Sequence, residues 1–269
     1  YTALNTLSLH DALPIWPCLS LESLSCPSLT TARRAVADAL VALGSGPQAA
    51  ATLKVGARID LSVNEVLDTA PCAPASSLFT GVLFEAIEAV APGAWQCSGA
   101  TSVSVFSGLF GVLSPADLIP DHRLAMGVSL PGFGVLSTWW APRLDEALRE
   151  EASGQVVIDA RSGPYRAACK APWARVWELR VVREADGTRS VISHDAKRWR
   201  GAVTGTLLAS GGAHATETRE CERAVAEAAR SVTLTDARGA EHRVIDVEFG
   251  PEMGTKQGGA RRALTLVTN

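Results

Sequence analysis

No two of the six cysteines, at positions 18, 26, 72, 97, 169 and 221, stand in the C-x-x-C spacing of a zinc or redox centre. Nor do they make the dense framework of a small secreted domain, so reduced thiols in a cytoplasm are expected. No apolar run is long enough to span a bilayer, and no membrane partner is expected. No Lys or Arg precedes Arg33, so the basic start of a signal peptide is missing. Catalytic signatures are equally scarce. There is no G-x-S-x-G nucleophile elbow, no H-E-x-x-H, no EF-hand loop and no Walker A sequence. Gly132-Phe133-Gly134 is a fragment of a dinucleotide fingerprint and reads as a turn. His122 and His194 are the histidines near the motifs, and a lone histidine is more often a bonded structural residue than a ligand. Neither a metal nor a cofactor is expected.

What the chain does carry is apolar material, 47% of 269 residues, enough for one large domain or two small ones. The net charge is −3, but its placement is uneven. Residues 1–160 hold 7 Lys and Arg against 15 Asp and Glu, residues 161–200 hold 10 against 4, and residues 201–269 hold 8 against 9. A basic block inside an acidic chain suits an anion-binding face. It equally suits a strand and a helix carrying solvated arginines.

Residues 1–16 have no pattern, and SLHDALPI within them resembles the translation of a short-read sequencing adapter, so they are set aside from fold reasoning. The remainder reads as a single domain over 17–249, with a helical hairpin region at 28–67 and an unpatterned tail at 250–269. Thr30 or Thr31 can cap a helix to about Leu43, with Val36, Ala39, Leu40 and Leu43 on one face and Gly44 as the stop. Gly46-Pro47 starts a second stretch to about Leu53, Lys54-Val55-Gly56-Ala57 makes a turn, and a third stretch runs from about Arg58 to Leu67. Helix, glycine turn, helix is the outline of a helix-hairpin-helix, whose turn N–H groups can meet a phosphate. Lys54, Gly56 and Arg58 are its candidate contacts. An ordinary helical hairpin fits the same residues.

Leu78 to about Ala91 reads as a helix, as does Trp139–Glu150 with Trp140, Leu144 and Leu148 on one face. Val156-Val157-Ile158 is a continuous apolar run, hence an interior strand. Trp173–Val182 and Thr188–Ser193 alternate like neighbouring strands joined at Asp186-Gly187. Helices follow from His194 to about Leu208 and from Glu217 to Arg230, and Ser231–Leu234 closes a hairpin with Arg243–Phe249. The expected fold class is α+β (mixed α/β), a central mixed sheet flanked by helices.

The chain is organised around residues 103–127. Val103-Ser104-Val105-Phe106-Ser107 is a compact β-branched and aromatic run, a buried strand. Gly108 and Gly111 then let backbone approach another element or a ligand, and Asp117 and Arg123 follow in a polar loop. SGLFGVLSPADLIPDHRLAMG, over 107–127, resembles the signature of the YaaA family, the peroxide-stress-response proteins, in the form seen in high-GC bacteria. LSTWWAPRLDEAL at 136–148, VVIDARSGPYRAA at 156–168 and VISHDAKRWRGAV at 191–203 continue the likeness, which covers about residues 24–249 in order. The resemblance implies a YaaA-like "cantaloupe" fold, a helix-hairpin-helix DNA-binding motif and a physiological link to free iron under peroxide stress. It also implies an opening strand with a Ser-Pro-Ala-Lys or Pro-Pro-Ser-Glu-Gly-Lys motif, which this chain is expected to lack.

Three exits from strand to loop carry the candidate site: Ser114–Arg123, Asp159–Arg166 and His194–Arg200. Groups just past strand ends are where α/β sheets usually bind ligands. If the exits share an edge, Asp117, Arg123, Arg161, Tyr165, Lys197 and Arg200 line one cleft, and the resemblance favours this because all six lie inside the family's motifs. Arg123, Lys197 and Arg200 would then hold phosphate or carboxylate oxygens. Asp117 would orient Arg123, and Tyr165 would stack on a base or donate a hydrogen bond. Cations in the first turns of the helix from His194 oppose its dipole, which suits an anion above the helix start. Two functions are expected from this cleft. One is sequence-independent binding of DNA, limiting damage linked to free intracellular iron. The other is an enzyme, or former enzyme, acting on a nucleotide-like or other phosphate-bearing small molecule. A third, plainer outcome is a truncated fragment that folds poorly without its opening strand.

Overall fold

The computed structural model describes residues 17–56, 58–96, 103–192, 195–212, 217–236 and 238–269. The adapter-like segment, His194 and Cys97 lie outside the described residues. Two 3-10 turns, Leu21–Ser23 and Pro27–Leu29, lead into α1 (Thr30–Leu43), which buries Arg33, Val36, Ala37 and Leu40 and stops at Gly44, φ 71°. Its N-cap is Leu29 rather than a threonine. α2 (Pro47–Leu53) opens with its proline, whose fixed φ suits a first helical turn.

The third helical stretch expected from Arg58 does not form: only Ser62–Glu65 makes a 3-10 turn there. The Asp60 carboxylate accepts both the Ser62 N–H (2.9 Å) and its hydroxyl (2.7 Å), a local bond that competes with helix propagation. Asn64 is drawn to a distant backbone partner, described below. The N-terminal hairpin is therefore α1 and α2 alone.

β1 (Cys72–Pro74), α3 (Ala75–Leu78) and α4 (Val82–Val90) follow. The anchor stretch folds as a tight antiparallel hairpin, β2 (Val105–Ser107) with β3 (Gly111–Leu113), and then β4 (Leu118–Pro120) returns to pair with β1. β5 (Ser129–Leu130) and β6 (Gly134–Val135) flank the Gly132-Phe133-Gly134 turn, with Gly132 at φ 80°. α5 (Leu136–Ala152) buries Trp140, Leu144 and Leu148 as its periodicity requires.

The second half builds a seven-stranded mixed sheet, five strands in one path and two pairing off it. β7 (Val156–Asp159) leads through α6 (Gly163–Ala168) to β8 (Arg175–Ala185), its parallel neighbour. β9 (Thr188–Val191) folds back on β8 through Asp186 and Gly187, both at positive φ (51° and 71°), which matches the strand twist. α7 (Ala196–Ala209) and α8 (Thr218–Ser231) precede β10 (Thr233–Thr235), β11 (Glu241–Phe249), the two-residue β12 (Met253–Gly254) and β13 (Ala260–Thr268).

Two expectations change here. The tail from 250 onward is not unpatterned: β13 lies between β11 and β8, antiparallel to one and parallel to the other. Leu264, Leu266 and Val267 are completely buried, so this strand is the spine of the sheet. Its two arginines at 261 and 262 hid the alternation. The apolar run of β7 is not interior either. Among the described residues β7 ends the sheet, and Val156, Val157 and Ile158 are only half-buried.

One apolar core surrounds the N-terminal helices, the anchor hairpin and α5; another lies between the sheet and α7 and α8. α4 rests on α7 at two glycines one turn apart. A Cβ on Gly201 would collide with the Leu83 carbonyl oxygen and stand 2.8 Å from the Ala86 Cβ, and one on Gly205 would stand 3.0 Å from the Ile87 oxygen. The two helices can touch backbone to backbone only because those side chains are missing.

Candidate functional site

The anchor hairpin is held by close backbone approach. Gly108 sits against the Leu124 oxygen, 2.5 Å from where a Cβ would be, and Gly111, at φ 74°, lies under the Trp140 ring. Trp140 Nε1 donates to the Gly108 oxygen at 2.9 Å. The Ser107 hydroxyl accepts the N–H groups of Leu109 and Phe110, both at 3.2 Å, and stands 3.4 Å from His122 Nε2. His122 Nδ1 is 3.1 Å from the Pro120 oxygen, and its ring meets Phe110 edge-on with centroids 5.1 Å apart. Burial pushes the imidazole down from its ordinary range, so His122 is a neutral packing residue.

Asp117 does not orient Arg123. Its carboxylate accepts the Ser25 N–H (3.0 Å), the Ser25 hydroxyl (2.9 Å) and the Ser114 N–H (2.9 Å), fastening the N-terminal segment to the loop. Arg123 instead pairs with Asp121, two residues away, and its backbone is clamped by Asn64. Arg123 N–H donates to Asn64 Oδ1 at 2.7 Å, and Asn64 Nδ2 donates to the Arg123 oxygen at 3.1 Å. A carboxylate two positions off in sequence wins the guanidinium because it needs no loop closure.

Arg33 has a role that composition did not reveal. Completely buried, it donates to the backbone oxygens of Phe110 (3.0 Å), Val112 (2.7 Å), Ser25 (2.6 Å) and Cys26 (3.4 Å). The signal was present in the pattern, since Arg33 falls on the same helical stripe as Val36, Ala37 and Leu40.

The second and third exits do converge. Asp159, 4% exposed, takes a two-pronged contact from Arg161, Nε at 2.8 Å and Nη2 at 3.0 Å. Burial alone would raise this carboxyl, but Arg161 and then Arg166 outweigh it and hold Asp159 below the usual carboxylate range. Arg161 further donates to the Tyr165 and Cys169 oxygens, and its guanidinium lies 4.1 Å over the Phe106 ring of β2. Arg166 reaches the Asp159 and Leu179 oxygens at 3.1 and 2.9 Å. Arg200, on α7, donates Nη1 to the Arg161 oxygen (2.7 Å) and Nε to the Ala196 oxygen (3.1 Å). Burial and the like charge of Arg166 push its guanidinium down. Lys197 stands exposed one turn before Arg200.

The chain just past the first exit meets this group through backbone and apolar contact: Tyr165 is hydrogen-bonded to the Met126 backbone, and Gly127 packs on Pro164. The structure thus brings Arg161, Tyr165 and Arg200 together, with Lys197 beside them, and leaves Asp117 and the Arg123 side chain to other partners. Lys54, Gly56 and Arg58 are exposed, with Lys54 at φ 56° closing α2. A groove of about 440 Å³ beside α1, lined by Leu21, Thr30, Arg34 and Asp38 among others, contains none of these residues.

Most of the basic block is neutralised from within. Arg175 pairs with Glu252 (2.7 Å), Arg180 and Arg261 with Glu178 (3.0 and 2.9 Å), Arg183 with Asp195 (3.7 Å), and Arg189 with Glu184 and Glu248 (2.7 Å each). No helix among the described residues is long and apolar enough to cross a membrane.

Against known proteins, residues 16–224 match the family model of the peroxide stress protein YaaA. A UPF0246 protein of Streptomyces coelicolor is 40% identical over 201 residues, covering 72% of this chain and 76% of the relative. One from Corynebacterium efficiens is 33% identical over 225 residues, covering 81% and 86%, and one from Corynebacterium glutamicum 34% over 198, covering 71% and 78%. With the anchor hairpin, the Asp159 node and α7 all inside the matched span, the chain belongs to the YaaA (UPF0246) family of peroxide stress proteins.

Proposed function

We propose that this chain serves the peroxide-stress response by binding a phosphate-bearing small molecule of nucleotide type at the junction of β7, α6 and α7, and thereby limits damage linked to free iron. One observation carries the reading. Arg200 is 8% exposed, yet among the described residues the partners of its guanidinium are carbonyl oxygens, not a carboxylate. A buried cation on carbonyls leaves net positive charge for an anion to meet. Lys197 supplies an exposed ammonium beside it, and Tyr165 an aromatic face. Asp159 is bonded through both oxygens to Arg161, so it positions that side chain and is not free to act as a base. Binding, rather than catalysis, fits best.

Sequence-independent DNA binding is the second reading, favoured by Lys54 and Arg58, which are exposed and form no ion pair among the described residues. Two or three such contacts give a log–log salt slope of about −2 to −3. Thermal unfolding with a nucleotide panel and inorganic phosphate decides between them, beside duplex DNA titrated across a salt series. A nucleotide at ~100 times its Kd stabilises by about 2.7 kcal/mol, and Lys197→Glu weakens that effect. Salt-dependent DNA binding without a nucleotide shift supports the second reading, and neither response overturns both.

A further inference from the structure

Two cysteines stand beside each other away from the cationic junction. The Pro17 oxygen accepts the N–H of Cys72 at 3.0 Å, laying the segment through Cys18 alongside β1. Cys18 is near enough to act on the ionisation of Cys72, and a disulfide between them needs α-carbons ~4.4–6.8 Å apart. Both thiols turn to one short loop. Cys18 Sγ donates to the Thr69 oxygen at 3.7 Å and Cys72 Sγ to the adjacent Ala70 oxygen at 3.9 Å. That loop is itself closed by the Thr69 and Ala70 N–H groups on the Val66 oxygen, at 3.0 and 2.7 Å.

The two sulfurs differ in access. Cys18 is exposed, whereas Cys72 is 1% exposed. Burial, reinforced by Cys18, pushes the Cys72 thiol up, so it stays protonated near neutral pH and Cys18 is the sulfur that an oxidant in solution reaches. Cys169, by contrast, is enclosed, pushed up to about 11 by burial, and donates to Asp145 at 3.5 Å.

We infer that Cys18 and Cys72 are a reversible dithiol–disulfide pair oxidised by hydroperoxide, the class of stressor for which the family is named. The Cys18 thiolate attacks one peroxide oxygen; the O–O bond breaks, Cys18 becomes a sulfenic acid, and the leaving hydroxide is protonated to water. The Cys72 sulfur then attacks Cys18 Sγ, an S–S bond forms, the S–O bond breaks, and a second water leaves with the Cys72 proton. Two thiols thus give two electrons and two protons to one hydrogen peroxide, and a dithiol reductant reverses the step. The cross-link pins the segment at residues 17–18 onto β1, whose partner β4 runs straight into Asp121–Arg123.

The test exposes the reduced chain to hydrogen peroxide, counts thiols with Ellman's reagent and maps cysteine peptides without reduction. Of six thiols, two are expected to disappear and return with dithiothreitol, with the Cys18 and Cys72 peptides recovered as one cross-linked species. Cys18→Ser, a change at an exposed position that leaves the fold intact, is expected to lose none of its remaining thiols at the same dose. Cys72→Ala is expected to leave a sulfenic acid at Cys18 that dimedone traps. Recovery of the two peptides apart overturns the inference, whether Cys18 remains a thiol or is driven to sulfinic acid, as does a cross-link between any other cysteines.

Discussion

Replacing Gly201 by alanine tests the packing that joins the two halves of the molecule. The new Cβ would stand 2.8 Å from the Ala86 Cβ and run into the Leu83 carbonyl oxygen, where ordinary carbon contacts need ~3.5–4.0 Å. The obstacle is backbone, which cannot rotate aside, so α4 and α7 must part by about 1 Å. Overpacking of this kind costs about 1–3 kcal/mol. A gap of that width also forfeits roughly a quarter to a half of the dispersion attraction along the face. Alanine returns ~1 kcal/mol through its better helix propensity. With the dispersion loss included, the expected net loss is about 1–2 kcal/mol, or ~2–8 °C in Tm. Urea unfolding followed by fluorescence of the buried Trp199 measures it as a lower midpoint at unchanged slope. Gly163→Ala, where a Cβ meets nothing within 4 Å, is the control and should stay within about 0.5 kcal/mol. An unchanged midpoint for Gly201→Ala would refute the close approach of the two helices.

Asp159→Asn should destabilise by about 3–5 kcal/mol, because it strands Arg161 and Arg166 beside a neutral group; a melting curve unaltered from the parent contradicts that node. For Arg33→Met the expected loss exceeds about 3 kcal/mol, since carbonyls of Phe110, Val112 and Ser25 lose their donor, and Arg33→Lys should restore less than half. His122 sets an acid limit. Its folded-state pKa is depressed, so its stabilisation is present above the ordinary value of about 6.5 and is lost as pH falls below it, by at most ~1.4 kcal/mol per pH unit. In His122→Gln that slope between pH 6.5 and 5 should flatten, and denaturant midpoints taken across the range report it.

The elements with strong periodicity were legible from the residues alone. α5, α7 and α8 appear within a few positions of their expected ends; α5 and α8 each present an apolar stripe, whereas α7 is buried on more than one face. The β8–β9 hairpin was legible through Asp186-Gly187. What stayed hidden was decided by partners distant in sequence. Asn64 breaks a helical pattern because its amide clamps Arg123, 59 residues away. β13 carries Arg261 and Arg262 in its first turns of alternation, and these look solvated until Glu178 and Glu222 reach them across the fold. Asp117 lies inside the family motif, yet its partner Ser25 is 92 residues earlier and carries no mark of its own.

The arginines also show why local charge counting in sequence overstates the field of the basic block. Ten cations in residues 161–200 read as one face, but an arginine bound to a carboxylate contributes almost no field at a distance, and most of them are bound so. An arginine bound to carbonyls keeps its charge. The molecule has two such buried guanidiniums, among the described residues: Arg33, which has the Asp117 charge nearby and faces the core, and Arg200. The carboxylate that acts on Arg200, Asp159, is already claimed by Arg161 and approached by Arg166. Positive charge is therefore left over at the α7 end of β7, not along the block as a whole. A compact anion can use such a point excess, whereas a duplex, which needs cations spaced along a path, gains little from it. That asymmetry is the physical ground for placing a small phosphate-bearing ligand ahead of DNA.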